Sequence, residues 1–201
     1  MKAFNIHLSG VGGQGIGLLS EIVLRAADHA GHAVKSVDTH GLAQRGGIVV
    51  SQIRIGEAVF SPLIPAGQAD LAVSLERHEA LRAADTLLRE QGRLIYYDTV
   101  WQPLSVRLGE AAEVTASAVR ERCDERRIQL FAVFQANLPD ARMQNVVMLR
   151  EIDRHRLIPG LDNAHYRSAM ADLMQGAMLE RNLAVFAGDG RRNWGIEELG
   201  N

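Results

Sequence analysis

The chain has 201 residues, 47% hydrophobic and 23% charged, which suits one folded domain with a sizeable core. Its 22 basic and 24 acidic side chains nearly cancel, and so weak a basic complement speaks against a nucleic-acid binder, which needs a clustered surplus of cations. A single cysteine, Cys123, makes no internal disulfide and cannot hold an iron–sulfur cluster, and a lone thiol suits a reducing cytosol. No stretch approaches the roughly 20 apolar residues of a membrane helix.

In chain order, Ala3 to Leu8 reads as a first strand, and the N-terminus as this strand rather than a signal peptide. A glycine-rich turn follows. Ile16 to His29 then carries apolar residues at helical spacing, and Ala33 to Val37 is a second strand. Gly41 to Gly47 is a polar, glycine-rich loop. Ile48 to Ile55 reads as a strand, Gly56-Glu57 as a tight turn and Ala58 to Ser61 as a return strand, which together predict a β-hairpin insertion near 48–61. Leu71 to Leu75, an amphipathic helix over Arg77 to Glu90 and a strand over Arg93 to Asp98 form a second β-α-β unit. Beyond a short helix near Ala116 to Arg122 and a strand at Gln129 to Val133, the C-terminal part is helical, from Asn145 to Arg150 and from Asp162 to Leu179.

The pattern predicts an α/β fold: a three-layer Rossmann-like sandwich on a mostly parallel sheet. One domain spans 1–187, with 142–187 as its helical part, and 188–201 is a polar tail. Met170, Met174 and Met178 fall at i, i+4 and i+8, on one face of the last helix. Glu76, His78 and Glu79 open a helix, where acids complement the dipole.

Two loops carry the chemistry. Gly10-Val11-Gly12-Gly13-Gln14-Gly15 matches G-x-G-x-x-G between a strand and a helix. Glycines permit the tight turn, and the amides of the helix N-terminus favour an anion. Asp38 lies near the end of the second strand, where a dinucleotide reader places its acid, so a stand-alone NAD- or FAD-binding enzyme is the rival reading. The second loop sets His40, Gln44 and Arg45 among Gly41, Gly46 and Gly47. Its arginine offers a planar fork for carboxylate or phosphate.

The segment His-Gly-Leu-Ala-Gln-Arg-Gly-Gly (40–47), followed by Val-Ser-Gln-Ile-Arg-Ile-Gly (50–56), resembles the gamma-type domain of 2-oxoacid:ferredoxin oxidoreductases. Three further segments match in order: Ser-Pro-Leu-Ile-Pro (61–65), Gly-Gln-Ala-Asp (67–70) and Leu-Glu-Arg-His-Glu-Ala-Leu-Arg (75–82). A free-standing chain of this size is most similar to the beta subunit of the indolepyruvate enzymes. The gamma subunits of pyruvate, 2-ketoisovalerate and 2-oxoglutarate enzymes are the alternatives.

The resemblance implies a subunit without catalytic residues or metal of its own. It implies thiamine diphosphate, Mg2+ and iron–sulfur clusters on a larger partner subunit, with ferredoxin engaged through the complex. Coenzyme A would bind at the interface. Gly10, Gly12, Gly13, Gln14, Gly15, His40, Gln44, Arg45, Gly46 and Gly47 would face that partner or the coenzyme. The isolated chain is expected in the cytoplasm, away from membrane and nucleic acid, with room to self-associate as a homodimer.

Overall fold

The structure, a computed structural model, describes residues 3–40, 47–57, 59–101, 106, 108–109, 112–138 and 140–188, with His40 described by its backbone alone. Six strands form one sheet in the order β2-β3-β1-β4-β5-β6. They are β1 (Phe4–Val11), β2 (Val34–His40), β3 (Ile48–Ile55), β4 (Ala69–Ser74), β5 (Leu88–Tyr97) and β6 (Gln129–Val133). The helices are α1 (Ile16–His29), α2 (Arg77–Arg82), α3 (Ala116–Glu125), α4 (Gln144–Arg154), α5 (Asn163–Leu173) and α6 (Gly176–Ala187). β3 runs antiparallel to both β1 and β2, while β1, β4, β5 and β6 pair in parallel. Five strands therefore share one direction.

Alternation along the strands divides the core into two layers. Ile6, Leu8, Leu71, Val73 and Ile95 face an inner layer shared with α1, α4, α5 and α6. Ala72, Leu94 and Tyr96 face an outer layer with Ala80, Ala83, Val119 and Cys123. This is the expected three-layer α/β sandwich. The small side chains Ala69, Ala72, Ala80, Ala83 and Ala84 let the outer helices approach the sheet closely.

Three local expectations change. The hairpin forms between β2 and β3, in register from Val34↔Ile55 to His40↔Val49. Residues 59–61 carry no strand; side chains of β3 hold the segment instead, Arg54 donating to Ser61 O and Gln52 accepting from Ile64 N. The helix expected over 77–90 ends at Arg82 in a π-turn, Ala83–Leu87. Leu88 pairs with Ala69 instead, and Gln91-Gly92 lies in a bulge where the register between β4 and β5 shifts. The span 162–179 breaks at Met174-Gln175 into α5 and α6, with Gly176 at φ +55°. The three methionines thus share no helix face. Met170 and Met174 are buried, and Met178 is exposed.

Candidate functional site

The chain leaves β1 into α1 on the inner face and β4 into α2 on the outer face. β1 and β4 are parallel neighbours, so the topological switch point lies between them, where open α/β sheets place ligands. The glycine loop occupies this position. Its conformation is set by Gln14, which is fully buried. Gln14 Oε1 accepts from Val11 N at 2.7 Å, and Gln14 Nε2 donates to Leu75 O at 2.7 Å, tying the exit of β1 to that of β4. Gly10 has to be glycine, because a Cβ there would lie 2.9 Å from Gln14 Oε1 and 3.1 Å from Ile16.

The loop's amides are largely spent within the protein. Val11 N goes to Gln14, Gln14 N donates to Val11 O at 3.1 Å, and Gly12 N donates to Gly47 O at 2.9 Å. That last bond joins the two glycine-rich segments that the sequence singled out. It follows from the register, because Val11 pairs with Ile48. The antiparallel β3 returns the second loop's end to the carboxyl end of β1. Gln44, Arg45, Gly46 and the His40 side chain lie outside the described residues.

α1 starts at Gly15 (φ +82°) with neither a side-chain cap nor an acid in its first turn. α4 instead continues from a 3-10 turn, Ala141–Met143, whose start is capped by the Asp140 carboxylate through Arg142 N. The two N-termini meet, since Asn145 Nδ2 donates to Gly15 O at 3.2 Å. A Cβ at Gly15 would lie 2.5 Å from that same nitrogen. The uncapped N-terminus of α1 favours negative charge nearby. Trp101, about one-third exposed, lies over the loop, its ring 3.8 Å from where a Cβ of Gly13 would stand.

Across the switch point, Glu76 caps α2. It is fully buried and accepts from His78 N at 3.0 Å and Glu79 N at 2.6 Å. Burial pushes its carboxyl above the usual range, against the pull of those two amides. Glu79 is also buried, and burial raises its carboxyl to about 7, opposed by Arg82 at 3.4 Å. Arg77 turns outward and pairs with Asp98 at 2.5 Å. Cys123 sits in the outer core, where burial lifts its thiol to about 12. It is a packing residue and not a nucleophile. Among the described residues no cluster of three His, Cys, Asp or Glu side chains is placed to hold a metal, and no helix is long and apolar enough to cross a membrane.

The dinucleotide geometry is not formed. In that architecture the acid-bearing strand lies next to the first strand. Here β3 separates β2 from β1, which sets Asp38 about 10 Å away in strand spacings. Asp38 Oδ1 instead faces Ser20 Oγ of α1 at 3.5 Å. Sequence reasoning located the glycine loop, Gly47 and the helix-opening Glu76 and Glu79. It missed Leu75 and Asn145 as partners of the loop. Asn145 comes 130 residues after Gly15 and bears no local signature.

An open α/β sheet with a glycine loop closed by its own glutamine, at the switch point and beside an antiparallel returning strand, defines a class distinct from the dinucleotide-binding folds. Residues 5–188 match the family model described as pyruvate ferredoxin/flavodoxin oxidoreductase, and the chain belongs to that family. It is 34% identical over 148 residues to the indolepyruvate oxidoreductase subunit IorB of Thermococcus kodakarensis, covering 73% of this chain and 72% of that one. It is 34% identical over 191 residues to the IorB of Archaeoglobus fulgidus, covering 89% and 90%. Among solved structures, the pyruvate oxidoreductase subunit PORC of Thermotoga maritima has the same fold, with a TM-score of 0.64, 18% identity and coverage of 98% of this chain and 100% of that one. The 2-oxoglutarate:ferredoxin oxidoreductase of Magnetococcus marinus contains the fold within a longer chain, with a TM-score of 0.68 and 17% identity, over 94% of this chain but 30% of that one.

Proposed function

We propose that this chain is the small, cofactor-free subunit of a thiamine-dependent oxidoreductase that acts on an aryl 2-oxoacid such as indolepyruvate. It completes the active-site cleft of a larger subunit, whose clusters pass the electrons to ferredoxin. The observation that carries the reading is the Gly12–Gly47 bond. It joins both glycine-rich segments at the carboxyl end of β1, beside the switch point. The names of the curated relatives favour indolepyruvate among the 2-oxoacids.

Thiamine diphosphate and Mg2+ on the larger chain supply the carbanion stabilisation that decarboxylation needs, and clusters there carry the electrons. This chain's residues shape the wall. Gln14 fixes the loop from Gly10 to Gly15, and Trp101 lies against it beside Gly13. The first-turn amides of α1 favour an anionic group such as a coenzyme A phosphate. To His40, Gln44 and Arg45 this reading assigns contact with the partner or that coenzyme.

The test is reconstitution with the cognate larger subunit. The pair should reduce ferredoxin with indolepyruvate and coenzyme A, and neither chain alone should. Arg45→Ala should lower coenzyme-dependent turnover by about tenfold or more, the loss of a charge-assisted contact, while the isolated chain melts as before. No pairing with the larger chain, or full turnover in Arg45→Ala, would count against the reading.

A further inference from the structure

Residues 59–65 cross the outer face of the sheet as an extended segment that joins no strand ladder. It is nonetheless firmly held. Arg54 Nη1 donates to Ser61 O at 3.0 Å and to Leu63 O at 3.2 Å. Ile64 N donates to Gln52 Oε1 at 2.6 Å, and Leu63 N to Ser61 Oγ at 3.2 Å. The guanidinium is steadied in turn, Arg54 Nε donating to Asn5 Oδ1 at 2.9 Å. Pro62 and Pro65 restrict the backbone further.

The segment sorts its side chains. Val59 is buried and Ile64 packs on the outer core. Phe60 is 92% exposed and Leu63 60% exposed. Alternation also turns Val37, Ile48 and Val50 to the outer face, each half-buried. No residue of β2 or β3 belongs to the outer core cluster, so the outer helical layer stops short of this half of the sheet. Sheets with parallel centres are ordinarily covered on both faces.

Area decides between a second copy and another partner. Phe60 and Leu63 together leave on the order of 300 Å² of apolar surface in water, given roughly 150–250 Å² for a whole aromatic side chain. Two copies meeting through these side chains would bury on the order of 600 Å², well below the ~1,200–2,000 Å² of a stable interface. A rigid pair of this size suits an anchor within a wider contact. The subunit assignment above supplies a partner of the size such a contact needs, the larger oxidoreductase chain.

We propose that Phe60 and Leu63 are the anchor with which this chain seats in an apolar socket of the larger oxidoreductase subunit. The inference rests on the subunit assignment above. The experiment measures binding of the full chain to its cognate larger subunit, with the double variant Phe60→Ser/Leu63→Ser and the conservative Phe60→Leu. The double variant should bind at least tenfold more weakly while its melting temperature stays within about 2 °C, since both side chains lie in water. Phe60→Leu should recover most of the affinity. Equal binding by wild type and the double variant overturns the inference and leaves the subunit assignment standing. So does a wild-type homodimer that the double variant dissolves without weakening the larger subunit's grip. Failure of the wild type to bind the larger chain at all removes both, and the accompanying loss of reconstituted turnover identifies that case.

Discussion

Across β4 and β5 the sheet is packed on both faces, Leu71, Val73 and Ile95 on one side and Ala72, Leu94 and Tyr96 on the other. Across β2 and β3 only one face is packed, by α1 against Ile53 and Ile55, and the other carries a pinned segment with Phe60 and Leu63 in solvent. The two halves differ in sequence as well. Leu71-Ala72-Val73 and Leu94-Ile95-Tyr96-Tyr97 are continuous apolar runs, the mark of a strand buried on both sides. Ser51-Gln52-Ile53-Arg54-Ile55 alternates, the mark of a strand with one wet face. The parallel half is complete within the chain, whereas the antiparallel half ends at a surface prepared for something else.

Substitutions at the seam between the halves should break this contrast most severely. Gln14→Ala strands Val11 N and Leu75 O in a dry site, and should cost about 3–5 kcal/mol in denaturant melts. Gln14→Glu should fare little better, because a carboxylate cannot donate to Leu75 O. A well-tolerated glutamate would show that the bond to Leu75 is dispensable. Next comes Gly15→Ala, with a positive φ and a Cβ directed at Asn145, expected to lose about 2–4 kcal/mol.

The third prediction concerns pH. Glu79 rises from 4.5 to about 7 on folding, so the unfolded carboxyl gives up its proton first. The native state accordingly loses stability as pH climbs from 4.5 through 7. Glu79→Gln should therefore match wild type near pH 4 and exceed it at pH 8, by on the order of 1–3 kcal/mol. His7 works in the opposite sense. Burial lowers it from 6.5 to about 4, so its contribution is full above pH 6.5 and fades as pH falls toward 4. A variant curve parallel to wild type from pH 4 to 8 would contradict this account of Glu79. The smallest effect belongs to the other half, where Phe60→Ser should change the stability of the isolated chain by no more than about 0.5 kcal/mol.

Much of this architecture was readable residue by residue. The run at β1, the 3.6-residue spacing of α1 and the apolar strands β4, β5 and β6 emerged where expected, because burial imposes their pattern directly. Strand order did not emerge. Nothing in Ile48 to Ile55 says that it inserts between β1 and β2, since alternation reports which faces are wet and not which neighbours are chosen. The helix beyond Arg82 was overextended because Leu87 and Leu88 fit a helical face as well as a strand entry. At the site, glycines announced the turn, but the glutamine among them reads as one that faces the partner or the coenzyme. Its burial becomes visible only when Leu75 is placed opposite. Asn145 contacts the loop through tertiary packing alone.

The position of β1 has a consequence for synthesis. β1 is a central strand made before both of its neighbours, one edge waiting for residues 48–55 and the other for residues 69–74. From Val11 to Ile55, some 44 residues made at roughly 5–20 residues per second, this apolar ribbon waits with both ladders open. The nascent chain is thus most prone to sticking early in translation, and a holdase chaperone would be of greatest use in those first seconds.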